Sequence, residues 1–458
     1  MSSTQPARGT RDFLPGDVRR REHVVDVVRD VYRRYGFEPL ETPAFENIET
    51  LVGKYGDEGN KLIFKILRRG EHEASGGADL ALRYDLTVPL ARVVAQYQNE
   101  LPKYFKRFQI QPVWRAERPA RGRFREFYQC DIDAIGSRSM VVEAELLAAV
   151  SETLARLGFG DFVIRLNHRG ALTALLECAG IPAPLHGPAL VALDKLDKIG
   201  PSGVEQELGA RGVNAEAATA CLRFFTDAQG GLAAGSQLER LRAFVRDHPT
   251  GMAAVGELDD IVQLSDATPA RGRIQIDPSL ARGLSYYTGA IMEIAVPDLP
   301  GSLGGGGRYD NLIGMFLGRD VPACGFSLGL ERLIVVMSER GMFPDAVAGR
   351  AVDVSVTFMA DALRADALTL ASELRAETLR VDVYPDAGRR LDKALKYASG
   401  RQAQVLVILG EDEHVRGEVA VRDLHTRQQD SVPRPGAASV IARRLRDHEG
   451  HGPSKSAM

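Results

Sequence analysis

Between Lys103 and Arg125 the chain sets eight basic residues against a single acidic one, with Tyr104, Phe105, Phe108, Trp114 and Phe124 threaded among them. Apolar and aromatic residues stand on both sides of a loop marked by Pro119 and Gly122. A strand, a turn and a second strand satisfy that pattern, giving a hairpin with several arginines on one surface. Arginine suits a triphosphate, because its planar fork can bond phosphate oxygens bidentately. Arg115 and Glu117 are two apart and can share one face of a strand. The Glu117 carboxylate can then accept from an exocyclic amine such as that of adenine, while Phe127 can stack on the base. Taken alone, the stretch is read equally well as a solvated, charge-rich hairpin. The whole chain carries a net charge of only −3, so any attraction to RNA must come from local basic surface.

The period of the sequence changes around this hairpin. Upstream, Val24, Val27, Val28, Val31 and Tyr35 recur at helical spacing, with Asp17 placed to cap the helix and Gly36 to stop it. Residues 37–43 form a short extended stretch that its prolines keep out of the middle of a sheet. Residues 81–136 read as an antiparallel sheet with loops, and 140–158 as an amphipathic helix. From about 167 to 249 alanine, leucine and short charged groups dominate, and strand-like alternation gives way to a helical insertion. Strands resume near 274 and over 291–296 and 324–328, followed by a helix over 330–339. Residues 340–350 read as a linker. Beyond it strands over 352–358, 380–383, 405–409 and 418–424 alternate with helices over 361–377, 389–399 and 437–447, the pattern of a compact mixed α/β domain.

A length of 458 residues calls for two or three domains. Cys130, Cys178, Cys221 and Cys324 lie far apart with no CxxC pair, which argues against a zinc site or a disulfide framework and for a reducing cytoplasm. Residues 1–8 lack an apolar run, so no secretory signal is expected, and no stretch is long and apolar enough to suggest a membrane partner.

A second chemical feature is Cys324-Gly-Phe-Ser-Leu-Gly-Leu-Glu-Arg-Leu-Ile334, a strand, a glycine and an apolar helix carrying Arg332. A cation on the first turn of a buried helix needs a partner, which a phosphate or a structural carboxylate would supply. The run Gly304–Gly307 reads as a flexible turn or as backbone that a ligand approaches closely.

Three of these segments together resemble the motifs of class II aminoacyl-tRNA synthetases. Gly36-Phe-Glu-Pro-Leu-Glu-Thr-Pro43 after a long helix is similar to motif 1, the arginine-bearing hairpin to motif 2, and the Gly-Leu-Glu-Arg helix to motif 3. Leu280-Ala-Arg-Gly-Leu-Ser-Tyr-Tyr-Thr-Gly289 and Leu82-Arg-Tyr-Asp-Leu-Thr-Val-Pro-Leu-Ala-Arg92 resemble the histidyl branch in particular, although Ser285 stands where that signature commonly has aspartate. Arg8-Gly-Thr-Arg-Asp-Phe-Leu-Pro15 and Gly304-Gly-Gly-Gly-Arg-Tyr-Asp310 agree with it. The resemblance implies an α/β fold: a class II catalytic domain, with an antiparallel sheet flanked by helices, and a C-terminal mixed α/β anticodon-binding domain. Its implied boundaries are 1–166 and 256–340 for the catalytic domain, 167–255 for the insertion, 351–445 for the anticodon-binding domain and 446–458 for a disordered tail.

The implied reaction activates L-histidine with ATP and passes it to tRNA(His), in a homodimer, with Mg2+ accompanying the ATP. By resemblance, Arg115 and Arg282 are the catalytic pair, set about the α-phosphate and the substrate carboxylate. Arg115, Glu117, Arg123, Phe127 and Arg332 hold ATP. Asp85, Leu86, Thr87, Arg115, Gln129, Asp133, Arg282, Tyr286 and Tyr287 hold histidine. Adjacent strand residues face opposite ways, so one of Tyr286 and Tyr287 is expected to be structural. The rival readings are a non-catalytic, histidine-binding paralogue of the ATP phosphoribosyltransferase regulatory-subunit type, a plain RNA-binding module, and a class II enzyme for another amino acid.

Overall fold

The computed structural model describes residues 4–68, 77–193, 195–226, 234–281, 286–344, 347, 352–386 and 390–450. The chain divides into two compact units, Met1–Met342 and Phe343–Met458.

The strands of the first unit are β1 (Glu38–Pro39), β2 (Phe45–Asn47), β3 (Lys65–Leu67), β4 (Ala78–Leu82), β5 (Phe105–Trp114), β6 (Glu126–Ile135), β7 (Val163–His168), β8 (Ile274–Ile276), β9 (Ala290–Ala295), β10 (Gly304–Arg308) and β11 (Ala323–Gly329). Among the described residues, eight of them form a sheet in the order β1-β5-β6-β11-β10-β9-β7-β8. The sheet is mixed: its interior pairs are antiparallel, while β1 runs parallel to β5 and β8 parallel to β7 at the two edges. The proline-bearing 37–43 stretch thus supplies an edge strand, where a missing N–H costs no ladder bond. Strand β4 joins β2 and β3 in a separate three-stranded sheet, and the helix Thr87–Gln96 interrupts what the sequence suggested was continuous sheet.

Register divides the large sheet into two chemically distinct faces, because cross-strand partners point the same way. Phe108, Ile132, Phe326, Met292 and Leu166 form one row across β5, β6, β11, β9 and β7, with Gly306 of β10 among them. This apolar face meets helices: Tyr32 on the helix Pro15–Arg34 packs its ring 6.2 Å from Phe108 and donates to the Cys130 carbonyl. The helices Val141–Arg156 and Leu330–Glu339 pack beside it. The opposite face carries Gln109, Asp131, Ser327, Gly305, Glu293 and Arg165 in one row, and Arg107, Asp133, Gly325, Gly307, Ile291 and Asn167 in the next. A face this polar inside a buried sheet needs partners other than packing.

The glycine run is not a turn. It is strand β10 in the middle of the sheet, held by ladders on both sides. Asp17 does not cap the first helix, which begins at Pro15 with Leu14 as an N-cap that makes no side-chain bond. Asp17 lies instead in the first turn, where a carboxylate complements the helix dipole. Gly36 follows the helix with a positive φ, as its stop position requires. Between β7 and β8 the described residues are helical, including Arg169–Cys178, His186–Leu193, Leu196–Ala210, Ala215–Thr226, Ala234–Phe244 and Pro249–Ser265.

Gly325 has a packing reason to lack a side chain. A Cβ there would overlap the carboxylate of Asp133 across the β6–β11 pair. Gly325→Ala is therefore expected to destabilise the first unit by about 1–3 kcal/mol, read as a lowered melting transition. An unchanged transition would mean that Asp133 can swing aside freely.

In the second unit β12 (Val354–Phe358), β13 (Val381–Val383), β14 (Val405–Leu409), β15 (Glu418–Asp423) and β16 (Gln429–Pro433) form one sheet in the order β13-β12-β14-β15-β16. The first three are parallel and the last two antiparallel. The helices Arg364–Ala376 and Ala437–Gly450 cover one apolar face, and Leu391–Gly400 the other. Strand β16 was not expected, because Gln429-Asp-Ser-Val-Pro433 is polar and ends in proline, features that suit only an edge. Residues 451–458 lie outside the described residues. No described helix is long and apolar enough to cross a membrane.

Candidate active site

A cavity opens over the polar face of the large sheet. Its floor is β6, β11, β10 and β9, and its walls come from Asp85 and Thr87, the β5–β6 hairpin, Tyr286, Tyr287 and the start of the helix Leu330–Glu339. It therefore gathers side chains from widely separated parts of the chain.

At one end stand cations. Arg115 follows β5, where its Nε donates to the Tyr84 carbonyl (3.1 Å) and its guanidinium lies 4.4 Å from the Tyr84 ring and 5.1 Å from the Phe127 ring. Its two terminal nitrogens are left for a ligand. Arg332, on the first turn of its helix, bonds the Ser302 carbonyl through Nη1. Among the described residues neither arginine has a carboxylate within ion-pair distance. Burial, and then the nearby Arg123, lowers the Arg332 pKa, the expected result of collecting cations in a half-buried site. Arg123 lies 3.4 Å from Glu117, and both line the cavity. The hairpin loop is drawn onto this end: Gly122 lies against the Arg332 side chain, and Arg121 pairs with Glu339 while donating to the Asp298 carbonyl. Behind Arg332, Glu331 is buried between Arg21 of the first helix and the Tyr128 amide. That carboxylate ties the helix, the hairpin and the Arg332 turn together.

A second wall is built on Asp85. Its carboxylate accepts from the Tyr55 hydroxyl (3.0 Å), the Tyr286 hydroxyl (3.1 Å) and the Val88 amide (3.0 Å). Burial raises its pKa. Thr87, which opens the next helix, also lines the cavity. Leu86 does not: its side chain is fully buried, and its carbonyl accepts from Arg107. Tyr286 and Tyr287 both reach the cavity, because they precede β9 rather than lie within a strand, and the two-residue alternation does not apply. Burial raises both phenol pKa values.

The floor is the part the sequence conceals. Arg107, entirely buried, places Nη2 2.9 Å from Asp133 and 3.9 Å from Asp131, and donates to Gln109. It belongs to the basic stretch but not to any basic surface. Asp133 also accepts from the Tyr309 hydroxyl. Gln129 spends its amide Nε2 on Ser327 Oγ (2.8 Å), which leaves its Oε1 without a donor. Asp131 Oδ1 is likewise unpartnered. Burial raises the pKa of both Asp131 and Asp133, with Arg107 opposing the rise.

The structure thus brings Asp85, Thr87, Arg115, Glu117, Arg123, Phe127, Gln129, Asp133, Tyr286, Tyr287 and Arg332 to one cavity. Arg282 lies outside the described residues. Asp131, Tyr309 and Glu331 join the site without having been singled out. Asp131 could have been found from its spacing: it sits midway between Gln129 and Asp133 on one face of a strand. Among the described residues no cluster of three or more metal-ligating side chains occurs.

A family profile for histidyl-tRNA synthetase matches residues 9–333, and one for an anticodon-binding domain matches residues 351–444. The histidine–tRNA ligase of Gloeobacter violaceus is 41% identical over 465 residues, covering 96% of this chain and 98% of that one. Among solved structures, the histidyl-tRNA synthetase of Nostoc sp. PCC 7120 has a TM-score of 0.80 at 31% identity, covering 97% of this chain and all of that one. An ATP phosphoribosyltransferase regulatory subunit/histidyl-tRNA synthetase from Bacillus halodurans C has a TM-score of 0.74 at 22% identity, covering 90% of this chain and 100% of that one, a likeness of fold alone.

Proposed function

The chain belongs to the histidyl-tRNA synthetase family, and from that premise we propose how its own residues divide the work of a histidine–tRNA ligase. The reaction has two steps. A carboxylate oxygen of histidine attacks the α-phosphorus of ATP and expels pyrophosphate. A hydroxyl of the terminal tRNA ribose then attacks the histidyl carbonyl and expels AMP. Little covalent help is needed in the first step, so positioning and charge carry the rate.

Arg115 holds the α-phosphate and the histidine carboxylate, a role supported by the Nε bond and flanking ring that hold its guanidinium at the cavity wall. Arg123 and Arg332 hold the outer phosphates. Phe127 stacks on adenine, whose amine donates to Glu117. Arg282 completes the clamp from the segment after Leu280. Asp85, itself fixed by two tyrosines, and Thr87 take the α-ammonium. Gln129, Asp133, Tyr286 and Tyr287 surround the imidazole. Any Mg2+ accompanying the ATP would be held chiefly by the phosphate oxygens and water, as its reluctance to dehydrate favours. The second unit takes the anticodon end of tRNA(His). Exposed Phe13, Leu14 and Val18 on and before the first helix support a homodimer through that surface. The free cysteines support a reducing cytoplasm.

The observation that carries this reading is the pair of unneutralised guanidinium groups, Arg115 and Arg332, facing a carboxylate-lined pocket across one cavity. A histidine-binding regulatory paralogue has no need of that cationic end or of an anticodon-binding unit. ATP–pyrophosphate exchange with each of the twenty amino acids tests the reading. Exchange with histidine at least about 10³-fold above the others is expected, since a site built to hydrogen-bond a polar side chain rejects apolar rivals strongly. Well-folded protein giving no exchange with any amino acid would favour the paralogue.

A further inference from the structure

Strand β6 places two carboxylates on the floor, Asp131 and Asp133, beside one arginine, Arg107 of β5. Asp133 is answered twice, by the Tyr309 hydroxyl and by Arg107 at 2.9 Å. Asp131 is 2% exposed and lies 3.9 Å from the same guanidinium, too far for a hydrogen bond. Its Oδ1 has no donor, and it faces the cavity. Beside it, two residues away on the same face, Gln129 Oε1 is also without a donor. That amide turns its nitrogen to Ser327 Oγ and its oxygen away from it. A buried acceptor left unmade costs free energy in the empty protein, and a ligand that supplies the donor recovers it. The floor therefore asks for an N–H group at the level of Asp131.

Resting on the histidine reading above, we propose that Asp131 is a specificity-determining residue whose Oδ1 accepts a hydrogen bond from a ring N–H of bound histidine. The imidazole carries that donor, whereas a ring of the same shape without N–H leaves Asp131 orphaned in the complex. Burial raises the Asp131 pKa while Arg107 and the Ser327 hydroxyl oppose the rise, and Oδ1 is the oxygen left without a partner among the described residues. Neighbouring Asp133 differs in that Tyr309 donates to its Oδ1 and the Arg107 guanidinium lies 2.9 Å from its Oδ2, although that Oδ2 also makes no hydrogen bond among the described residues.

The test compares histidine with 3-(2-thienyl)alanine, a ring isostere lacking N–H, in ATP–pyrophosphate exchange by the full-length wild type, Asp131→Asn and Asp131→Ala. Asp131→Ala is expected to raise the KM for histidine roughly 10- to 100-fold, the worth of a hydrogen bond to a charged group. It should leave the KM for ATP within about twofold. The preference for histidine over thienylalanine should fall by a similar factor, and Asp131→Asn, which keeps an acceptor, should recover part of it. A purely structural Asp131 would lower the melting transition without moving that ratio. An unchanged ratio in a wild-type-active background overturns this proposal alone. Absence of histidine-dependent exchange in the wild type overturns the functional reading with it. If Asp131→Ala fails to fold, the near-isosteric Asp131→Asn decides by the same ratio.

Discussion

Arg115→Ala should lower kcat/KM for histidine-dependent pyrophosphate exchange by about 10³-fold, and Arg115→Lys should restore little of it. Removal of a single transition-state donor costs about 10²–10³ in rate, and a guanidinium touching both reactants stands at the upper end of that range. Three contacts define what lysine lacks. The Nε bond to the Tyr84 carbonyl orients the fork, and the Tyr84 and Phe127 rings lie 4.4 and 5.1 Å from it. Lysine has no planar fork and no second nitrogen to hold back for anchoring. The deficit should appear mainly in kcat, because charge builds on the α-phosphoryl oxygens as pyrophosphate leaves. A variant that changes only the KM for ATP would restrict Arg115 to ground-state binding and remove it from the catalytic pair.

The same region shows what a sequence of this kind discloses. Strands β5 and β6 are legible because Pro119 and Gly122 punctuate two long runs, and the loop between them carries its charge openly. Arg332 is legible for a different reason: a cation at the start of an apolar helix contradicts its surroundings, and local contradictions mark sites. Arg107 is concealed because it shares the basic stretch with exposed residues, while only the register Arg107↔Asp133 reveals that it is buried under the cavity. Asp131 is concealed in the same way, since its meaning depends on Ser327 and Arg107 from other strands. The glycine run reads as a turn because glycine has poor strand propensity, and the β9 and β11 ladders that override it are remote in sequence. Tyr286 and Tyr287 defeat a rule of alternation that holds only within strands. Pattern thus exposes elements and isolated charges, whereas the polar network of the floor exists only in the pairing of strands.

Removing residues 343–458 should separate the two halves of the reaction. Every described cavity-lining residue, from Asp85 to Arg332, belongs to the first unit, which ends at Met342. The second unit has its own sheet and two apolar cores on either side of it. The first unit alone is therefore expected to keep histidine-dependent pyrophosphate exchange within about tenfold of the full chain, since that step involves neither the second unit's residues nor tRNA. Its kcat/KM for charging tRNA(His) should fall by at least about 100-fold, equivalent to the loss of roughly 3 kcal/mol of binding. That loss is modest for an RNA contact that also neutralises phosphates, so raising the salt concentration should shrink the gap between the two proteins. Equal loss of exchange and charging, in a truncated protein with an intact melting transition, would mean that the second unit supports the cavity as well as the tRNA. Unimpaired charging would remove the anticodon end from recognition altogether and leave tRNA selection to the first unit.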